Sequence, residues 1–415
     1  VGAEMCIRDR PCSVAGSVPR GPDRPFDFTP SGTDPATENG YLTIGDQTLT
    51  FSGAGTNILV YNRIRDFAGQ TDSTLYSYPP LALAHAPETT NPGNVIVNMT
   101  GGGSVTFAAN ANSYTGSTTV QAGTLILDTV DNTAAQHDTV TNTFHAINGS
   151  LIIGNGDAST ATVQLSNGYP VSEAISMTSA ITLYKDGVLD LNGQSQTIGS
   201  LTFNGGTVNL NSGTLYLDQD VTVNASAGNT ATINGTGNLS LTLRRTGGVD
   251  VLPDATRTFT VTGGAGNLSD LTITGNIQSG NLVKAGNGTM MLGTSNNTYV
   301  GTTSVTGGIL NIQQGTVSSR SSLGASDGTS AQGTTVSSGA TLQVQGGIAV
   351  THEYLTLSGN GFDPGGGVLG ALNNLSGSNT WGTAGNTYIN LAADSRINSS
   401  AGLLTIAGNI ASTGN

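Results

Sequence analysis

Apolar residues recur at every second position through most of the chain, with Thr, Asn or Gln between them. Val105 and Phe107 flank Thr106, Val163 and Leu165 flank Gln164, Leu201 and Phe203 flank Thr202, Val208 and Leu210 flank Asn209, and Leu271 and Ile273 flank Thr272. A period of two sends successive side chains to opposite faces of an extended chain, so each stretch predicts a strand with one buried face. Glycine and asparagine break the pattern at intervals of about 6 to 10 residues, the spacing of short strands joined by tight turns. No window carries a capped helical stripe, which disfavours an α/β fold. The pattern predicts an all-β protein.

One stretch occurs twice. Asn112 to Leu127 reads Asn-Ser-Tyr-Thr-Gly-Ser-Thr-Thr-Val-Gln-Ala-Gly-Thr-Leu-Ile-Leu, and Asn297 to Ile312 reads Asn-Thr-Tyr-Val-Gly-Thr-Thr-Ser-Val-Thr-Gly-Gly-Ile-Leu-Asn-Ile. At an offset of 185 the identities are Asn112/Asn297, Tyr114/Tyr299, Gly116/Gly301, Thr118/Thr303, Val120/Val305, Gly123/Gly308 and Leu125/Leu310. Upstream, Gly101, Gly103, Ser104 and Phe107 match Gly286, Gly288, Thr289 and Leu292 at the same offset. A unit of a few short strands is too thin to bury its own apolar face, so repetition predicts units stacked along an axis. Tyr114 and Tyr299 read as packing or turn-bracing residues, with ligand stacking as the sharper alternative. A further echo, Leu271–Ile277 against Leu404–Ile410, suggests that a third copy is due after Ile410 and that the chain is a fragment.

These residues resemble the autotransporter-associated β-strand repeat: Gly-x-Gly-Thr, an apolar run, Asn-Thr-Tyr-x-Gly-x-Thr-x-Val, then Gly-x-Leu. Residues 286–312 fit it best, residues 101–127 fit with Asn-Ser-Tyr, and residues 323–347 are similar to the segment that follows such a repeat. The resemblance implies a right-handed parallel β-helix, elongated and carrying loop excursions. It implies a surface-exposed or secreted bacterial passenger at the outer membrane, with an outer-membrane translocator outside the present sequence.

Residues 1–37 read as a disordered tail, because Pro11, Pro19, Pro22 and Pro25 and four arginines replace the apolar beat. Met5 to Arg10 is similar to a translated sequencing adaptor, so the start is expected not to be native. Residues 38–95 read as N-terminal coils or a cap holding an inserted loop at 66–93, and residues 96–415 as a parallel β-helical passenger truncated at its C-terminal end. A second polar excursion is expected at 128–143.

Composition narrows the functional classes. Sixty glycines and only 9% charged residues leave hydroxyls and amides as the polar surface. With a net charge of -13 and two lysines, Lys185 and Lys284, there is no basic patch for nucleic acid. No apolar run reaches the roughly 18 to 20 residues of a membrane span. Cys6 and Cys12 stand in the tail and the body has no cysteine, so no disulfide framework is expected.

Candidate chemistry is sparse. His85, His137, His145 and His352 are scattered without completing a metal site. A Ca2+-binding Gly-Gly-x-Gly-x-Asp turn is absent, since Gly365–Gly367 follows Asp363 rather than preceding an acid. The acid pairs Asp186 with Asp190 and Asp218 with Asp220 are the enzyme candidates. If Asp218 and Asp220 lay in a strand they would share a face about 6.6 Å apart, within the range of glycosidase carboxylates. Arg244 and Arg245 form the one adjacent basic pair of the body. The favoured expectation has no catalytic residue, cofactor or metal: a structural or adhesive stalk or spacer, with host or environmental glycans or cell-surface components as partners. The alternative is a polysaccharide-acting β-helix enzyme, a lyase or glycoside hydrolase.

Overall fold

The computed structural model describes residues 4–7, 26–27, 41–44, 47–61, 63–65, 92–108, 112, 114–128, 145–166, 174–243, 255–294, 296–384 and 387–412. The expected excursions at 66–93 and 128–143, together with Arg244, Arg245, His85 and His137, lie almost wholly outside the described residues. The chain divides into two units, Val1–Gly199 and Ser200–Asn415. Each is built mainly from parallel strands, and among the described residues the one helical element is the short 3-10 turn Ser330–Gln332.

In the first unit one sheet contains Thr48–Ala54, Asn94–Thr100, the start of Thr118–Leu127, Leu151–Ile153 and Ile181–Tyr184. Parallel register stacks Phe51, Val97, Val120, Ile153 and Leu183 into one inward column. A second sheet contains Asn57–Val60, Ser104–Phe107, the end of Thr118–Leu127, Ala161–Leu165 and Gly187–Asp190, and it stacks Ile58, Val105, Leu125, Val163 and Leu189. The rings of Phe51 and Phe107 meet edge to face with centroids 6.1 Å apart, so the two inner faces enclose one core. Two short strands fall within the segment read as a tail: Glu4–Ile7 lies antiparallel to Thr48–Ala54, and Phe26–Asp27 lies parallel to Asn57–Val60.

The second unit repeats the scheme. Val221, Phe259, Lys284, Val305, Val336 and Leu357 form an inward column of its first sheet, and Leu271, Met290, Leu310, Leu342 and Leu372 one of its second. A third side carries Thr214–Leu217, Asn238–Ser240 and Asn276–Gln278, and later Ala349–Val350, Ser378–Trp381 and Leu403–Ile406. A coil therefore runs first sheet, second sheet, third side, and takes about 20 residues where no excursion intervenes, as between the paired Leu201 and Val221. Outward positions are hydroxyls and amides: Thr202, Thr222 and Thr260 align on the first sheet, and Thr207, Thr232 and Thr272 on the second.

The echo between Leu271–Ile277 and Leu404–Ile410 is not a structural equivalence. Leu271–Ile273 belongs to the second sheet, whereas Leu404–Ile406 lies on the third side, paired with residues 379–381. Identical short strings fit either face because both ask only for alternate apolar residues, so this echo does not set the register of a further copy.

Candidate functional site

The strongest feature is the repeat itself, built alike in the two units. Asn112 and Asn297 sit on the third side at points where their coils form no strand. The Asn297 side chain is fully buried, its Oδ1 accepting from the Ile277 backbone N–H at 2.7 Å and its Nδ2 donating to the Ser322 carbonyl at 2.7 Å. Asn112 does the same between the Ile64 N–H and the Ala146 carbonyl, both at 2.9 Å. The side-chain amide takes the place of a peptide group and carries the hydrogen-bond ladder from the coil before to the coil after.

Two residues later, Tyr114 and Tyr299 are fully buried and each phenol bonds a threonine hydroxyl, Thr118 and Thr303 respectively, the latter at 2.7 Å. Both threonines occupy inward columns, Thr118 between Val95 and Leu151 and Thr303 between Leu282 and Thr334. A hydroxyl in such a column needs a partner, and the tyrosine provides it. Burial pushes the Tyr299 phenol far above its ordinary value, so it remains a neutral donor and acceptor.

Gly116 and Gly301 pass close under the preceding coil. A Cβ on Gly116 would collide with the Gly93 carbonyl, and one on Gly301 with the Gly280 carbonyl and the Asn281 side chain. That contact lets Asn94 Oδ1 accept from the Ser117 N–H, and Asn281 Oδ1 from the Thr302 N–H, each at 2.8 Å. Gly123 and Gly308, at φ +78° and +62°, turn the chain from first to second sheet against backbone carbonyls. Val120, Val305, Leu125 and Leu310 are fully buried.

Sequence comparison at a single offset missed Asn94 and Asn281. They stand 187 residues apart because the first copy carries two more residues between Val97 and Gly101 than the second carries between Lys284 and Gly286, beside the point where the register slips after Val97. The signal was present as Gly93-Asn94-Val95 against Gly280-Asn281-Leu282. The shift also aligns Val97 with Lys284, since Val97 pairs with Val120 and Lys284 with Val305. Lys284 is thus a lysine in an apolar column. Its Nζ donates to the carbonyls of Ala285, Gly286 and Gly307 at 2.9 to 3.0 Å. Burial pulls the ammonium down to about 7, opposed by the charge of Asp270.

Glu353 is a further buried ionisable group of this unit, besides Tyr299, Lys284 and Asp270. Thr334 Oγ1 donates to its Oε1 at 2.7 Å, and burial pushes the carboxyl up to about 8.

The acid pairs do not form strand-face pairs. Asp218 and Asp220 follow the strand Thr214–Leu217 in a bend, so the expected face-sharing is absent. Asp220 accepts from the Thr258 N–H at 2.8 Å. Arg257, half-buried, donates through Nε to the Leu217 carbonyl at 2.9 Å; burial lowers its ordinary value while Asp218 and Asp220 oppose the shift. Asp186, in a turn, accepts from the N–H groups of Asn155 and Gly156, and Asp190 accepts from the Asn192 N–H and Gln164 Nε2. Asp363 accepts from Gly365 and Gly367 and so braces its own turn. Among the described residues no three His, Cys, Asp or Glu side chains gather as metal ligands, and no helix is long and apolar enough to cross a membrane.

The family described as the passenger-associated-transport-repeat matches residues 97–127 and 282–312, the segments whose geometry is duplicated. Comparison of the whole chain with curated proteins and with solved structures finds no match.

Proposed function

We propose that this protein, an autotransporter-associated passenger carrying two passenger-associated transport repeats, works as a non-catalytic stalk or adhesive spacer of a surface-displayed or secreted bacterial protein. The observation behind this reading is where the two copies agree. Identity falls on inward, bridging and turn positions: Asn112, Tyr114, Thr118, Val120 and Leu125 and their counterparts are buried. Outward positions differ, as in Thr119 against Ser304, Gln121 against Thr306 and Ile126 against Asn311. A duplicated catalytic or binding surface would preserve outward groups, whereas a duplicated scaffold preserves what joins one coil to the next. With 9% charged residues, contacts to a glycan or cell-surface partner rest on hydroxyls and amides, weak singly and strengthened by dense display.

A second reading, a polysaccharide-acting lyase or glycoside hydrolase, draws on the corner where the charges of Asp218 and Asp220 act on half-buried Arg257. One experiment separates the two: a glycan array probed with monomer and a multimerised form, beside a polysaccharide cleavage assay. Binding by the multimer alone, little changed by salt, supports the spacer. Turnover abolished by the double substitution Asp218→Asn, Asp220→Asn overturns it.

A further inference from the structure

At the corner where the second copy leaves the first sheet for the second, Lys284 is fully buried in a column whose adjoining rungs carry Phe259 and Val305. The backbone ladder between its coil and the next runs from the Thr306 N–H on the Lys284 carbonyl, at 2.9 Å, to the Ile309 N–H on the Gly288 carbonyl, at 3.1 Å. Lys284 Nζ spans the turn between these two bonds. It donates to the carbonyls of Ala285 at 2.9 Å and Gly286 at 3.0 Å on its own coil, and to the Gly307 carbonyl at 3.0 Å on the next. Gly286 and Gly308 hold φ of +78° and +62° here, and a Cβ on Gly308 would stand 2.5 Å from the carbonyl oxygens of Gly286 and Gly288, so the two turns are in close contact. The first copy has Val97 at this place, which has no donor to offer.

Three acceptors match an ammonium, which has three N–H donors and no lone pair, whereas a neutral amine has two donors and turns a lone pair toward the third carbonyl. Among the described residues Asp270 is the charge that acts on Lys284; it accepts from the N–H groups of Gly264 and Thr289 and from Asn267 Nδ2. The strands packed around the amine, Thr256–Thr262, Leu271–Ile273, Thr289–Leu292, Thr303–Val305 and Gly308–Ile312, carry one further ionisable side chain, Arg257, which pairs with Leu282, two residues before Lys284. Tyr299 and Glu353 bond Thr303 and Thr334, which lie in the column of Leu282 and not in that of Lys284.

We propose that Lys284 is a protonation-dependent clasp of the second unit. Its ammonium ties the corners of two successive coils together. On loss of the proton the amine keeps the two carbonyls of its own coil and releases Gly307, so the turn at Gly307 and Gly308 loosens while the unit stays folded. Burial brings this change to about 7, so the corner is tight in mildly acidic surroundings and relaxed in mildly alkaline ones. A proton, unlike a ligand, reaches a buried amine through ordinary local fluctuation. Local tightness and global stability part company here: stability relative to the unfolded chain rises because the folded chain sheds its proton first, and the corner gives up one bond as it does so.

The test is hydrogen exchange of the full chain, read by mass spectrometry across about pH 5.5 to 9, with each rate divided by that of the unstructured sequence at the same pH. The expected result is that residues 305–309 lose about tenfold in protection as pH rises through about 7, the scale of one hydrogen bond. Residues 120–124, the matching corner of the first copy, keep theirs. Lys284→Met removes the pH dependence at 305–309. Asp270→Asn takes away the charge that favours the ammonium, so it keeps the dependence and moves its midpoint to lower pH. Constant protection of 305–309 in the parent, an equal loss at 120–124, or a pH dependence that survives in Lys284→Met overturns the clasp. If Lys284→Met fails to fold, the midpoint in Asp270→Asn decides, and one that stays in place or rises overturns the clasp.

Discussion

Replacing Asn297 by leucine removes both hydrogen bonds of a bridge while nearly preserving volume. The Ile277 N–H and the Ser322 carbonyl, each held at 2.7 Å by the one side chain, would be left buried and unpaired. At about 1–3 kcal/mol for each orphaned group, the expected loss is about 2–6 kcal/mol. A unit of this size unfolding cooperatively would melt lower by about 4–24 °C. The loss should be local in origin, so hydrogen exchange is the decisive assay: the Ile277 amide should exchange far faster in Asn297→Leu, with protection falling first in Asn276–Gln278. Asn112→Leu should act in the same way on Ile64, because its partners are the same kinds of backbone group. Asn297→Asp should be worse than leucine, since it keeps the acceptor for Ile277 but sets a buried carboxylate against the Ser322 carbonyl. Unchanged exchange at Ile277 together with an unchanged melting temperature would refute the view that the side-chain amide stands in for the missing strand.

Lys284 and Glu353, both buried, predict opposing dependences on pH. Lys284 titrates at about 7 in the folded chain against an ordinary 10.5, so its contribution makes stability rise with pH between about 7 and 10.5 and is flat below about 7, where folded and unfolded chains both carry the ammonium; Lys284→Met should flatten this slope in urea titrations. Glu353 titrates at about 8 against 4.5, so its contribution is fully present below about pH 4.5 and is lost as pH rises through 8; Glu353→Gln should abolish that loss, and equal slopes in variant and parent would contradict the assignment. Gly301→Ala should be strongly destabilising in thermal melts because its Cβ meets the Gly280 carbonyl and Asn281, whereas Gly366→Ala, with open space around it, should be near neutral; similar melting temperatures would show that the close approach is not required.

The sequence by itself determined that the protein is all-β, that it is built from repeated coils, and which residues of the repeat face inward. Val120, Leu125, Val305 and Leu310 are buried where a two-residue alternation puts them. Glycines at 116, 123, 301 and 308 mark points where the backbone must turn or pass close, because only a residue without Cβ fits there. These features are local, and a few neighbouring residues suffice to specify them. What only the tertiary structure decided is which residues meet across coils. Parallel stacking joins positions one coil apart, and coil length varies with each excursion, so no constant spacing reveals the partners. Asn94 and Asn281 escaped a search at 185 for that reason, as did the alignment of Lys284 with Val97. Asp218 and Asp220 alternate like strand residues but lie in a bend, because the strand ends at Leu217. Likewise Asn311, Gln343, Asn373 and Asn398 come from four strands separated by unequal lengths of chain and form one column only because parallel register places them side by side.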